Sequence, residues 1–252
     1  MPQPEISIFP ILGLPEIVPG CQLSSVLAEA VRRSDLVLKD FDILVIAHKV
    51  ISKAEGRIVQ LNDVEPSKVA TIWAEKSGKD ARLVELSLRE ASRIVRMERG
   101  VLITETRHGF VCANSGVDTS NVAPGCAVLL PEDPDRSAEE LRKSLNEEFK
   151  VRLGVVVSDT FGRPWRGGIV NVAIGVAGFD PLTDYRGFPD SFGKKMRASV
   201  VASADELAGA AEMVMGKTRA VPAVIIRGFS WPTGLSGTGK KLLRPATEDL
   251  FR

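Results

Sequence analysis

The sequence predicts a mixed α/β fold, and three observations carry that expectation. Short apolar runs of the kind that form strands alternate with longer stretches whose apolar residues recur at helical spacing. Helix-start and helix-stop signals fall between the runs. Glycine and proline punctuate the chain, yet they build neither a low-complexity linker nor an internal repeat.

Strand candidates are EISIF (5–9), DILVIAH (42–48), GVLITET (100–106), CAVLL (126–130), LGVVVS (153–158), MRASVVAS (196–203) and PAVIIRG (222–228). Leu23, Val26, Leu27, Ala30 and Val31 mark one helical face, and Leu83, Leu86, Leu88, Ile94 and Val95 mark another more loosely. Ser137 with Glu140, and Ser203 with Glu206, have capping-box spacing, in which hydroxyl and carboxylate satisfy free amides of the first turn. Gly216 stands where a helix over 204–215 would stop. The pattern changes near residue 100 and again near 195, with the strand- and glycine-rich GIVNVAIGVAGF (168–179) between. We therefore expect one unit over 1–252 in two lobes, 1–99 with 196–252, and 100–195.

At 252 residues and 44% hydrophobic, the chain is long enough to bury a sizeable core. Lys and Arg number 33 against 32 Asp and Glu, so no global field draws nucleic acid or an anionic membrane. The start, MPQPEISIFP, lacks the basic and long apolar regions of a signal peptide, and no apolar run approaches the roughly 20 residues that span a bilayer. A cytoplasmic protein is expected. Cys21, Cys112 and Cys126 are odd in number and widely spaced, which suits buried or incidental thiols better than a zinc framework.

Two segments carry the candidate chemistry. In NSGVDTSNV (114–122) and in SDTFGRPWRGG (158–168), Asp118-Thr119 and Asp159-Thr160 follow apolar residues where strands are expected to end. Carboxylate and hydroxyl oxygens suit Mg²⁺ or Mn²⁺, which keep waters and take further ligands from substrate phosphates. Asp beside Thr also caps ordinary turns, so either pair alone decides little. A basic segment, AHKVISKAEGR (47–57), delivers Lys49, Lys53 and Arg57 after a strand, with Gly56 permitting a turn. Those cations could converge on a polyphosphate or form a solvated turn. LGLPEIVPG (12–20) could supply amide donors or a wall for a base, or serve as a rigid connector.

GLSGTGKK (234–241) matches the phosphate-loop pattern until Lys241 replaces the final Ser or Thr. Phe229 to Thr233 intervenes after the strand, Pro245 would break a helix starting at the lysines, and too little chain remains for a later metal-binding strand. A glycine-rich loop is the better reading.

Taken together, FPILGLPEIVPG, VISKAEGR, NSGVDTSNV, SDTFGRPWRGG and the ending RPATEDLFR resemble the coenzyme F420-0:L-glutamate ligases, in the order found there and over nearly the whole chain. The resemblance implies a two-lobed α/β unit in an intertwined homodimer. It implies that GTP and divalent metal, two Mg²⁺ or Mn²⁺ with K⁺ as a further ion, drive γ-linked addition of L-glutamate to coenzyme F420-0. It places Leu14, Pro15, Glu16, Ile17, His48, Lys53 and Asn121 around the nucleotide, and Asp118, Asp159 and Thr160 at the metals. One departure stands out: where some members carry Glu or Gln to reach the second metal, this chain has Lys217, whose ammonium cannot ligate a cation.

Such a ligase needs no enzyme nucleophile, because GTP converts the acceptor's carboxylate to an acyl phosphate that the glutamate amine attacks. Lys53, Arg163 and Arg166 are candidate electrostatic clamps, the two arginines from their position beside Asp159. His108, before Gly109 in an expected hairpin, is a candidate base toward the amine. Two other classes fit the same residues: a metal-dependent phosphatase or nucleotidase, and a noncatalytic binder of nucleotide or deazaflavin.

Overall fold

The apolar runs that lack polar alternation have a simple cause: their strands lie in a sheet covered on both faces. The computed structural model describes residues 5–231 and 237–250. In chain order, β1 (Ser7–Pro10) leads to α1 (Leu23–Arg33), β2 (Ile43–Ala47), α2 (His48–Ala54) and β3 (Ile58–Gln60). Helices α3 (Lys68–Ser77) and α4 (Ala81–Arg89) precede β4 (Ala91–Glu98), β5 (Val101–Thr106), β6 (Val111–Ala113) and β7 (Cys126–Val128). Then come α5 (Pro134–Phe149), β8 (Gly154–Gly162), β9 (Ile169–Ala177), β10 (Thr183–Asp184), β11 (Val200–Val201), α6 (Ser203–Met215) and β12 (Ala223–Arg227). The mixed α/β expectation holds.

Five strands form the central sheet in the order β1-β12-β2-β8-β9. Within it β2 and β8 run parallel, and the other neighbours are antiparallel. Alternate residues of one strand enter two cores. Leu44, Ile46, Val155 and Val157 pack with Leu27 and Val31 of α1 and Leu141 and Leu145 of α5. On the other face, Ile43, Val45 and Val156 pack with Leu207, Ala211 and Met215 of α6. Full burial of each Leu, Ile, Val or Met among these side chains contributes about 1.5–3 kcal/mol over exposure, so the two layers hold the sheet firmly. Smaller sheets, β4-β5-β6, β3-β7 and β10-β11, complete the described chain. The central sheet takes strands from all three segments, 1–99, 100–195 and 196–252.

Several local expectations are corrected. The helix marked by Leu83 ends at Arg89, and Ile94 and Val95 lie in β4, where Ile94 pairs with Thr104. Their β-branched side chains favour a strand, and cross-strand pairing overrides a loose helical spacing. Helix α5 starts before Ser137: Asp133 caps it by accepting from the Arg136 amide at 3.1 Å, and Pro134 fills the first turn. Ser203 is already helical, and its hydroxyl meets Thr183 at 2.6 Å rather than capping α6. Gly216 does end α6, with φ of 58°. Of MRASVVAS, Val200 and Val201 form a strand.

Two corrections bear on function. His48 opens a short helix rather than ending a strand, so AHKVISKAEGR is helical through Ala54 before Gly56 turns it at φ 72°. Strand β8 continues to Gly162, which places Asp159 and Thr160 inside a strand, opposite Val172 and Asn171. Asp and Thr read locally as turn residues; the long partner β9 holds them extended.

The tight seat of β9 against α5 is testable. A Cβ added at Gly175 would lie 2.8 Å from Pro134 Cβ and closer still to the Pro134 carbonyl, which is backbone and cannot rotate away. Gly175→Ala should cost about 1–3 kcal/mol in a denaturant melt, as overpacking does. Gly162→Ala, whose Cβ meets nothing within 4 Å, should stay within about 0.5 kcal/mol of the native protein.

Candidate functional site

The parallel pair β2 and β8 ends unevenly. Ala47, the last residue of β2, pairs with Ser158, after which β8 runs on with β9 as its partner. Beyond that point one side of Asp159 and Thr160 faces open space at the carboxyl ends of parallel strands, the place where α/β sheets bind ligands. A cavity of about 770 Å³ lies there.

Its walls gather most of the residues predicted to bind nucleotide or metal. The 12–20 loop contributes Leu14, Pro15, Glu16 and Ile17; α2 contributes His48, Lys49 and Lys53; the 118–121 segment contributes Asp118 and Asn121; β8 contributes Asp159 and Thr160. Helical spacing sets Lys49 and Lys53 on one face of α2. Arg57 lies elsewhere, with its guanidinium on Leu130 O at 3.0 Å and Glu90 at 2.7 Å. Thr119, the neighbour expected to act with Asp118, is not on the wall.

Each carboxylate of the cavity has a cation or donor beside it. Lys49 Nζ donates to Asp118 Oδ2 at 2.6 Å and to Ser120 Oγ at 2.5 Å, while the Ser120 amide donates to Asp118 Oδ1 at 2.7 Å. Burial alone would raise the Asp118 carboxyl, but Lys49 and the Ser120 amide and hydroxyl outweigh it and hold the group below the usual carboxylate range. Asp159 Oδ1 lies 3.3 Å from His48 Nε2 and accepts from the Thr160 amide at 2.6 Å. Lys53, nearly buried, pairs with the exposed Glu16.

A second cluster was not evident from local sequence. Lys217 Nζ donates to Thr160 Oγ1 at 2.7 Å and Asn171 Oδ1 at 3.4 Å and lies 3.0 Å from Glu212 Oε1. Thr160 Oγ1 in turn donates to Asn171 Oδ1 at 2.7 Å, and Asn171 Nδ2 donates to Glu212 Oε2 at 2.9 Å. Asn171 is a buried amide within an apolar strand, a signal that marks it in hindsight.

The carboxylates of Asp118 and Asp159 are donors of the kind a hard cation takes, completing its shell with water and phosphate oxygens, whereas the Thr160 hydroxyl is already engaged by Lys217 and Asn171. Among the described residues no cluster of three or more His, Cys, Asp or Glu is arranged to hold a metal by itself. Arg163 and Arg166 are not brought to the cavity. They are exposed in the hairpin turn, where Arg163 bonds the carbonyl of Gly167. His108 is also elsewhere: its Nε2 faces the carbonyls of Pro131 and Glu132 at 3.0 and 3.1 Å, and its ring stacks on Phe110. Gly234 to Ser236 of GLSGTGKK lie outside the described residues, and Gly239–Leu242 makes a single 3₁₀ turn rather than a long helix. The three cysteines are free; burial, with the charge of Asp159, pushes the Cys112 thiol to about 12 and keeps it protonated. No helix of the described residues is long and apolar enough to cross a membrane.

The fold and cavity define an α/β protein with a carboxylate- and lysine-lined cleft at the end of a parallel strand pair. Residues 12–228 match the family model described as F420-0:Gamma-glutamyl ligase. The chain is 47% identical over 249 residues to the coenzyme F420:L-glutamate ligase of Methanothermobacter thermautotrophicus, covering 98% of this chain and 99% of that protein. It is 45% identical over 257 residues to the protein of the same name from Methanopyrus kandleri, covering 99% and 98% of the two chains. The chain belongs to the F420-0:gamma-glutamyl ligase family.

The Lys49–Asp118 contact predicts a titration. With its folded value depressed, Asp118 adds stability above the ordinary carboxylate range and loses it as pH falls through the folded value. Lys49→Met should raise the Asp118 midpoint, read by carboxyl carbon chemical shifts against pH, and should shrink the acid limb of the stability curve. An unmoved midpoint would show that Lys49 does not set the carboxylate's charge.

Proposed function

We propose that this protein is a GTP- and divalent-metal-dependent ligase of coenzyme F420 biosynthesis, joining L-glutamate to coenzyme F420-0 and extending the tail by γ-linkage. The observation that carries the reading is the meeting of Leu14 to Ile17, His48, Lys53, Asp118, Asn121, Asp159 and Thr160 on one cavity. The family match and the names of the relatives give it its substrates.

In this reading the 12–20 loop and Asn121 hold the nucleotide, and Lys53 meets its phosphates as a nearly buried charge. Asp118 and Asp159 would hold Mg²⁺ or Mn²⁺, which when bound neutralises phosphate charge during transfer. A carboxylate oxygen of the acceptor takes the γ-phosphoryl group, the bond to the β-phosphate oxygen breaks, and GDP leaves. The glutamate nitrogen then attacks the acyl carbon; its carbon–oxygen bond to phosphate breaks, phosphate departs, and the amine loses a proton. The cavity walls orient the partners and exclude water, which would otherwise hydrolyse the acyl phosphate. The reaction belongs in the cytoplasm and involves neither nucleic acid nor membrane.

Incubation with GTP, Mn²⁺, glutamate and F420-0 should give a glutamylated product by mass spectrometry, with GDP release that depends on both glutamate and acceptor. GDP release without either would indicate a phosphatase, and binding without turnover a noncatalytic protein. Asp159→Asn should lower turnover by at least about 100-fold with an unchanged melt.

We also propose a homodimer. Phe188 and Phe192 are 60% and 95% exposed in the excursion between β10 and β11, and Trp165 is 80% exposed in the β8–β9 turn. These aromatic side chains suit a partner surface. Sedimentation over a concentration series should give twice 27.2 kDa, with specific activity falling as the dimer dissociates. A fully active monomer would remove the dimer and leave the ligase intact.

A further inference from the structure

Lys217 stands within reach of three oxygens of different kinds: the Thr160 hydroxyl at 2.7 Å, a Glu212 carboxylate oxygen at 3.0 Å and the Asn171 amide oxygen at 3.4 Å. An ammonium carries three donors and no acceptor, so three oxygen acceptors satisfy it. The backbone steers it there. Gly216 ends α6 with φ of 58° and ψ of 178°, a conformation costly for other residues, and turns the next side chain back toward β8 and β9. Asn171, 4% exposed, fixes the acceptors: its amide oxygen faces Thr160 and Lys217, and its nitrogen donates to Glu212.

These oxygens are hard donors of the kind that hold a cation, but the point they share is already taken by the Lys217 ammonium, 2.7–3.4 Å from each. A metal at this position would have to displace a positive charge tied to the backbone. The residues here therefore do not fit a second divalent ion, whereas Asp118 and Asp159 fit a first.

We propose that the Lys217 ammonium is a tethered cation that takes the place of a second metal ion, so that the site holds one divalent ion per chain beside the nucleotide. The proposal rests on the reading of this cavity as a nucleotide and metal site. The simpler alternative, a half-exposed lysine paired with Glu212 at a helix end, predicts no effect on metal count.

The test is a Mn²⁺ titration followed by the paramagnetic resonance of free ion, with the full-length protein saturated by a non-hydrolysable GTP analogue. Native protein should bind one Mn²⁺ per chain. Lys217→Gln should either gain a second Mn²⁺ or lose about 10-fold or more in affinity for the analogue, the effect of removing a charged hydrogen bond. Lys217→Arg, which keeps the charge, should do neither, and matched melting curves control for folding. Two Mn²⁺ in the native protein would overturn the proposal, as would a Lys217→Gln protein with one Mn²⁺ and native nucleotide affinity. A native protein that binds neither Mn²⁺ nor the analogue would overturn the nucleotide-site reading itself, and the tethered cation with it.

Discussion

The site depends on a mismatch of strand lengths. Strand β2 stops at Ala47, opposite Ser158, while β8 and β9 stay paired to Gly162 and Ile169. The residues from Asp159 to Gly162 therefore have a sheet neighbour on one side only, and Asp159 meets the start of α2 on the other. That geometry brings Asp159 within 3.3 Å of His48 and turns Thr160 toward Asn171. Had β2 continued alongside β8, the space now lined by Asp159, Lys53 and Asn121 would be filled by further sheet. The two apolar layers, with Val155 to Val157 buried from both sides, hold this overhang in register. A slip of one residue would exchange those layers, and a rigid core forbids it.

Charge in the cleft is arranged in pairs. Lys49 meets Asp118, Lys53 meets Glu16, Lys217 meets Glu212, and His48 stands beside Asp159. An unpaired charge at the depth of Lys53 would cost several kcal/mol, so its pairing with Glu16 lets the cleft keep an ionised lysine without destabilising the fold. Under the proposed function Lys53 turns to phosphate oxygens, and Asp118 and Asp159 to a divalent ion, while Lys217 keeps Glu212.

The sheet is legible in the sequence wherever burial on both faces makes a strand continuously apolar, as in ILVIA and GVVV. It becomes illegible where pairing partners distant in sequence decide the outcome. Asp159 and Thr160 read as turn residues, yet Val172 and Asn171 hold them extended. Ile94 and Val95 fit a loose helix until β5 pairs with their strand, at Ile94 on one side of Val95 and Arg96 on the other. Ser137 reads as a cap only when the stronger Asp133-Pro134 signal just before it is set aside. Most of the site residues belong to motifs that point to one family when taken together, and they do share one cavity. Arg163 and Arg166 are near Asp159 in sequence, but a hairpin turn carries them away from the cleft. Asn171 and Glu212 escape local pattern because a single polar residue in an apolar segment acquires meaning through the β8–β9 register and the approach of α6.

The end of α6 explains why a positive residue settles beside Thr160. A helix C-terminus presents unsatisfied carbonyls and the negative end of the macrodipole, which favours cations within its last turn. Arg219 answers part of that demand by donating to the carbonyls of Met213 and Val214 at 3.4 and 3.3 Å. Lys217 answers the acidic side chain at the same end, Glu212. Because Gly216 reverses the chain at the helix end, the two cations diverge, one back onto the helix and one toward β8. A carboxylate at 217 would meet Glu212 with a second negative charge, and a free cation would then be needed to hold those oxygens together. The lysine makes this part of the cleft self-neutralising, and its charge comes from the chain itself.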